Sequence, residues 1–413
     1  MGLYLLPRIL VLLVPVTPAS DAGWYFSRAA GLVAGLGYSE RDVLTAYWPP
    51  GWPLTMAVIF KLCGVSLLAV GVFNVASSLI IAWLTWDLGR KLFRSEVAGR
   101  TSLLLLALHP NSIGYMPLAW TEVYYTVLLL LGCWLLIACR SGWSLLCAGV
   151  VFGVSTLVKA QSFLVIPVIF AIGFLRQSNW IQLWRNTTHA AIVLLVAVSV
   201  VLPWSYRNYR VFGEFVFVST NGGLTLLAGN NPSARGGYTQ DDPLMTSLGW
   251  SVATQVTADK EARRRAVQWI KENPWRFIVL LPRKVFHLWA LDGESEWWFQ
   301  LGYQYYGQYV LWFRTLRLLN QVYYLCLLAG SGVAAWLLLG RKVVVSDTRL
   351  DWWALPYGLG VYLSALALVF CGQPRFHYPV MPFIAMGAGW LVGAVLPEFL
   401  SEGGVCRQDP KSS

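Results

Sequence analysis

Ala19-Ser20-Asp21-Ala22-Gly23-Trp24-Tyr25, running on to the elbow Tyr47-Trp48-Pro49-Pro50-Gly51-Trp52-Pro53, forms a polar island between two apolar runs. Asp21 follows the first apolar segment. It opens a short run in which Trp24, Ala29, Leu32, Val33 and Leu36 recur at helical spacing. That pattern predicts a helix over 21–36 lying along a membrane boundary. Consecutive prolines cannot continue a helix interior, so Pro49, Pro50 and Pro53 turn the chain and 54–62 dips back into the bilayer. A carboxylate at such a boundary, followed by an interfacial helix, suits a membrane-embedded site, and Asp21 is the first candidate for a catalytic carboxylate on the non-cytosolic side.

Composition sets the class. The 413 residues are 57% hydrophobic and 12% charged, against about 25% charged in a soluble domain. With repeated apolar runs of spanning length, this predicts an all-α polytopic membrane protein built as one domain over 1–413. The net charge of +11 comes from Lys and Arg in short clusters between apolar runs. That is the positive-inside pattern and not a nucleic-acid surface. The 22 tryptophans suit interfacial belts, but several lie in loops with Pro and Gly, where a sugar or lipid can stack on them. The seven cysteines show no spacing for a disulfide framework or a metal motif. The first apolar run, 2–16, is short, contains Arg8, and reads as an anchor.

About ten spans are expected, near 2–18, 65–88, 101–118, 122–139, 143–158, 161–175, 188–204, 319–340, 352–370 and 379–397. The clusters Arg90-Lys91 with Arg94 and Arg100, Arg140, Arg176, Arg341-Lys342 and the tail with Arg407 and Lys411 then fall on one side, which is taken as cytosolic with both termini inside. The first outer loop is 19–53, with its juxtamembrane helix. The large outer loop is 206–274, the expected acceptor-binding region. It includes an alternating stretch from Phe215 to Val218 and an amphipathic helix over 252–272. The run 275–290 is interrupted by Pro282, Arg283, Lys284 and His287. Two adjacent cations at mid-membrane cost about 2.5–3.5 kcal/mol each, so a juxtamembrane or re-entrant helix is expected there. The sequon Asn186-Thr187-Thr188 falls on a predicted cytosolic loop. No internal repeat of the kind found in inverted-repeat transporters is visible.

Under this topology Asp21, Arg28, Glu122, Lys159, Arg207, Arg235, Arg283, Lys284, Arg375 and His377 gather at the outer boundary, where ionisable residues are functional candidates. One or two carboxylates among many cations suit a particular chemistry: cations hold a phosphate or diphosphate while a carboxylate activates an acceptor hydroxyl or amine. Asp21 is read as the base or as a helix cap. Glu122 is read as catalytic or as a favourable charge at a helix N-terminus. Lys159, Arg207, Lys284 and Arg375 are candidate phosphate ligands, with lipid headgroups as the other reading for the first two. Tyr47, Trp48, Trp52, Asn230 and His377 are candidate substrate contacts, and Trp297 and Trp298 are further stacking candidates. His109 reads as a polar packing residue. No cofactor is required; a divalent cation held by Asp21 and Glu122 stays open.

In order along the chain stand Asp21, the Tyr47–Pro53 elbow, Leu88-Gly89-Arg90-Lys91-Leu92-Phe93, Thr121-Glu122, Arg207-Asn208-Tyr209 with Phe212-Gly213, Gly229-Asn230-Asn231-Pro232, and Arg375-Phe376-His377-Tyr378-Pro379. This ordered set resembles the type C (GT-C) membrane glycosyltransferases, in particular the bacterial relatives of protein O-mannosyltransferases and of the lipid A aminoarabinose transferases. The resemblance implies an inverting transferase. It would take a sugar from a polyprenyl-phosphate donor to a lipid, glycan or protein acceptor at the periplasmic face of a bacterial inner membrane, with Asp21 as catalytic acid. Ala22 stands where the protein mannosyltransferases carry a second acid, and Tyr47-Trp48-Pro49 stands where the aminoarabinose transferases carry Glu-Lys-Pro. Neither acceptor is therefore carried over. The rival readings are a lipid-linked sugar flippase or transporter, and a glycan polymerase or ligase using diphosphate-linked lipid.

Overall fold

The computed structural model describes residues 2–138, 142–174, 180–340 and 350–402. The orienting residues Arg140, Arg176, Arg341, Lys342, Arg407 and Lys411 lie outside them. The chain is helical, as an apolar sequence in lipid must be: every backbone N–H and C=O needs an internal partner there, and a helix supplies it.

Helix α1 (Gly2–Leu10) continues into a 3-10 turn, Val11–Leu13. Its Arg8 is 1% exposed. The guanidinium lies 3.7 Å over the Tyr4 ring and donates to the carbonyls of Leu106 and Ala107 at 3.0 and 3.2 Å. Arg8 thus satisfies the open C-terminal carbonyls of a neighbouring helix, where a cation is favoured. Helix α2 (Ser20–Val33) is the expected juxtamembrane helix. A hairpin that the periodicity did not announce follows it, with Ser39–Glu40 (β1) pairing Val43–Leu44 (β2). Arg41 and Asp42 form its two-residue turn with φ of 49° and 63°, the twist such a turn needs. Trp24 Nε1 bonds Glu40 at 2.7 Å and Arg28 bonds the Ser39 carbonyl, so the hairpin lies along α2.

The bundle follows. Helix α3 spans Gly51–Cys63, α4 Leu67–Phe93, α5 Glu96–Ala107, α6 Pro110–Gly114 and α7 Glu122–Ile137. Helices α4 and α7 run side by side in one direction. Near their starts, Asn74 donates to the carbonyls of Met116 and Leu118 at 3.0 and 2.9 Å. Near their ends, Trp134 Nε1 donates to Asp87 at 2.7 Å, and Asp87 also pairs with Arg90 and Lys91, each at 2.6 Å. The Arg90-Lys91 cluster is therefore part of a tie between two helices. Helix α8 (Gly142–Val158) packs on α10 (Trp180–Phe212) through Gly149 and Gly153. A Cβ at either glycine would collide with Val196 or Val200, the close approach that small residues four apart permit. Between them lies α9 (Val165–Phe174).

Two expectations fail at α10. The helix passes through Pro203 instead of ending there, because neighbouring groups in a membrane bundle can satisfy what a proline leaves open. The sequon at Asn186 lies within this helix, not on a loop. The Phe215–Val218 stretch is not a strand. It runs back along α10, its carbonyls taken by Asn208, Ser205 and Trp204 at 3.2, 2.6 and 2.7 Å.

Residues 206–274, the expected outer loop, hold α11 (Gly222–Gly229), α12 (Pro243–Thr246) and α13 (Gln255–Glu272). Leu224, Leu227, Ala262 and Ala266 form a small core of their own there. Next come α14 (Pro274–Trp289) and α15 (Glu294–Gly302), then α16 (Val310–Gly340), α17 (Leu355–Val369), a 3-10 turn Pro374–Val380, and α18 (Met381–Glu402). Among the described residues four helical stretches are long and apolar enough to cross a membrane: Leu67–Phe93, Trp180–Phe212, Tyr306–Leu339 and Trp352–Val369. Gly2–Leu13, Gly51–Cys63, Glu122–Ile137, Gly142–Val158 and Ala160–Phe174 are apolar but shorter.

Candidate active site

Five helix ends and turns meet at one end of the bundle. Asp21 lies in the first turn of α2, after Ala19, whose side chain caps nothing. Its carboxylate is therefore free of helix-capping duty. It accepts from Arg375 at 2.9 Å, and the two side chains keep 19% and 17% of their surface exposed. Arg375 sits in the 3-10 turn before α18. Its Nε donates to Gln373 at 3.0 Å, and its guanidinium lies 4.8 Å over the Trp120 ring. These three contacts hold the guanidinium in place.

Glu122 opens α7 and is 1% exposed. It accepts from Lys159 at 2.9 Å and from the Thr121 hydroxyl at 3.1 Å. Lys159 stands at the break between α8 and the 3-10 turn Ala160–Leu164. It lies 5.9 Å over the Phe376 ring, which also lies 5.5 Å from the Arg375 guanidinium. The two ion pairs share that ring and are neighbours. Burial works against the charge on Arg375, but Asp21 and Glu122 outweigh it and hold the guanidinium firmly protonated. Burial pulls Lys159 below the usual lysine range, more than Glu122 raises it. Tyr25 and Trp48, with rings 5.8 Å apart, and Tyr47, 5.1 Å from Trp48, extend an aromatic wall beside Asp21. The cluster offers two cations for an anion, an acid that can take a proton, and aromatic surface.

Arg207, Lys284, Asn230 and Trp52 have internal partners. Arg207 donates to the carbonyls of Thr45 and Tyr38 at 2.8 and 3.1 Å and ties the segment after α2 to α10. Lys284 is fully buried and donates to Asn230 at 2.7 Å and to the Leu368 and Val369 carbonyls at 3.1 and 3.5 Å. It completes the end of α17 as Arg8 completes the end of α5, so its reading as a phosphate ligand is corrected to a structural one. Burial lowers its amine to about 8. Asn230 is likewise buried, bonding Leu226 and Val369 through its Nδ2, which corrects its reading as a substrate contact. Trp52 is fully buried with its indole N–H on the Ala119 carbonyl at 2.9 Å, and it offers no face for stacking. Arg235 and Arg283 are exposed.

His377 is buried as well. Its Nδ1 faces the Leu288 carbonyl at 2.6 Å and its Nε2 the Asp292 carboxylate at 3.2 Å. It is a packing residue and not a substrate contact. Asp292 itself is the largest omission of the sequence reading. It also accepts from His109 at 2.8 Å, from Asn320 at 3.1 Å and from Asn111. Its desolvation is outweighed by His109 and these bonds, which hold the carboxyl far below its usual range. The signal available was Asp292-Gly293-Glu294, two acids directly after an interfacial run. Among the described residues no group of three or more His, Cys, Asp and Glu side chains is placed to hold a metal ion. Asp21 and Glu122 each face an internal cation, Arg375 and Lys159.

The family model described as dolichyl-phosphate-mannose-protein mannosyltransferase matches residues 48–206. No curated protein matches the chain. The Archaeoglobus fulgidus oligosaccharyltransferase solved with zinc and sulfate superposes with a TM-score of 0.56 at 13% identity, covering 96% of this chain and 49% of that one. The chain has the fold of the type C membrane glycosyltransferases. The same organism's oligosaccharyltransferase AglB, in complex with an inhibitory peptide and a dolichol-phosphate, gives 0.52 at 12% identity over 99% and 52% of the two chains. ArnT from Cupriavidus metallidurans bound to undecaprenyl phosphate gives 0.47 at 15% identity over 99% and 80%. The chain spans about half the length of the oligosaccharyltransferases it matches.

Proposed function

We propose that this membrane protein is an inverting glycosyltransferase that moves one sugar from a polyprenyl-phosphate donor to an acceptor on the extracytosolic face of a bacterial plasma membrane. The observation that carries this reading is the Asp21–Arg375 pair beside the Glu122–Lys159 pair. The dolichol-phosphate in the related AglB structure supports the lipid-phosphate donor. Arg375 and Lys159 take the phosphate oxygens, Arg375 through its planar fork. As the phosphate engages Arg375, Asp21 is released from its partner and accepts the proton of the acceptor hydroxyl or amine. The acceptor atom attacks the anomeric carbon on the face opposite the phosphate. The carbon–oxygen bond to phosphate breaks, and polyprenyl phosphate leaves with its charge held by the two cations. Trp48 and Tyr47 border the sugar.

The test uses the purified protein in lipid nanodiscs with radiolabelled undecaprenyl-phosphate sugars and a fractionated envelope extract as acceptor. Transfer from a monophosphate donor that Asp21→Asn abolishes supports the reading. Transfer undiminished by Asp21→Asn, or transfer from diphosphate-linked lipid alone, overturns it.

A further inference from the structure

Helix α15 borders the cluster through Trp298, which packs on the Trp120 ring under Arg375. Its far end is tied to the approach to Asp21, where the Thr17 N–H bonds the Gly302 carbonyl at 2.9 Å. Its near end is held by Asn111, whose amide oxygen accepts from the Ser295 N–H at 3.1 Å while its amide nitrogen bonds Asp292. Asp292 in turn bonds His377, two residues beyond Arg375. Gly293, at φ 109°, turns the chain between Asp292 and the helix. Glu294 is therefore two residues from Asp292 in this tie, and Arg375 is two residues from His377.

Glu294 and Trp298 are four apart on this helix and share a face. Trp298 packs on Trp120 with ring centroids 4.3 Å apart, and Trp120 is the ring under the Arg375 guanidinium. That face therefore looks toward Arg375. Glu294 makes no hydrogen bond or ion pair among the described residues, although it is half-buried. Burial raises its carboxyl above the usual range, and Arg375 and Glu122 are the foremost charges that reach it. Two further polar groups nearby are buried without partners, the Trp298 indole N–H and the Tyr115 hydroxyl. Tyr115 is acted on by both Glu122 and Glu294. An acceptor carboxyl and two donors left unmet beside an aromatic wall lack what a carbohydrate supplies, since each sugar hydroxyl both donates and accepts. Buried polar groups are otherwise almost always paired, and leaving each unmet costs about 1–3 kcal/mol.

We propose that Glu294, with the Tyr115 hydroxyl and the Trp298 N–H, forms the subsite for the hydroxyl face of the donor's sugar, Glu294 accepting hydrogen bonds from two neighbouring hydroxyls. This rests on the donor reading above and adds the group that recognises the sugar as distinct from its phosphate. The Asp292–His377–His109 tie positions Glu294 and does not itself touch the substrate.

The experiment measures binding of undecaprenyl phosphate and of undecaprenyl-phosphate-mannose, -glucose and -galactose to wild type, Glu294→Gln, Glu294→Ala and Tyr115→Phe in nanodiscs, together with thermal unfolding. Wild type is expected to bind at least one sugar-bearing lipid about tenfold more tightly than the bare lipid phosphate. The Glu294 variants should lose most of that margin and Tyr115→Phe part of it, with bare-lipid affinity within about twofold of wild type. Because Glu294 bonds nothing among the described residues, its variants should melt no lower than wild type does. A margin retained in Glu294→Gln overturns the proposal. So does a wild type that binds the bare lipid and all three sugar-bearing lipids equally. A wild type that binds no lipid phosphate at all defeats the donor reading itself.

Discussion

Asp21 and Arg375, 354 residues apart in sequence, meet at 2.9 Å. The acid proposed as base and the cation proposed as phosphate ligand neutralise one another. The pair keeps 19% and 17% of its side-chain surface exposed, so an incoming phosphate can reach it, and a phosphate offers Arg375 a second negative charge.

Replacing Asp21 by Asn should separate the two roles. Transfer is expected to fall by about 100-fold or more, the range for loss of a general base. Affinity for bare undecaprenyl phosphate should rise, because Arg375 no longer has an internal anion to leave. Single-turnover kinetics and lipid binding on the same preparation check both; weaker lipid binding would contradict the exchange.

Arg375→Lys keeps the charge and loses the fork. Donor KM should rise about 10- to 100-fold, equivalent to about 1.5–3 kcal/mol for one charge-assisted hydrogen bond. The rise should come with a smaller change in kcat. An unchanged KM would remove Arg375 from the phosphate site.

Lys159 carries a pH signature. Its folded-state pKa is lowered, chiefly by burial. The ammonium therefore loses its proton at a pH below that of a free lysine, and phosphate affinity should fall on the alkaline side earlier than for an exposed lysine. Lys159→Arg keeps its charge throughout, so the alkaline fall in donor binding should move upward or vanish. An identical alkaline limb in wild type and Lys159→Arg would show that Lys159 does not hold the phosphate.

Lys284 should behave as a structural residue. Lys284→Ala leaves the Asn230 Oδ1 and the Leu368 carbonyl without a donor, at about 1–3 kcal/mol for each buried acceptor left bare. A lower melting temperature is expected, while the folded fraction binds undecaprenyl phosphate as wild type does. A selective loss of lipid binding at unchanged stability would restore Lys284 to the phosphate site.

The all-helical membrane class and most helix positions follow from local pattern. The apolar run over 143–158 became α8 with almost the same bounds, because helices in lipid satisfy their backbone without outside partners. Misplaced ends trace to contacts: α10 outlasts Pro203 because the segment after it folds back and bonds its side chains. Asp21, Glu122, Lys159 and Arg375 were visible as charges in an apolar chain. Which of them pair was not, nor was the division between charges that gather in the cluster and charges that finish a buried helix.

That division separates Arg375 from Lys284. Both are cations beside apolar runs, and no periodicity tells them apart. The helix pattern depends on neighbours three and four residues away, which the chain itself supplies. The partner of a charge depends on residues brought together from distant segments: an acid near the start of the chain for Arg375, and the carbonyls at the end of α17 for Lys284.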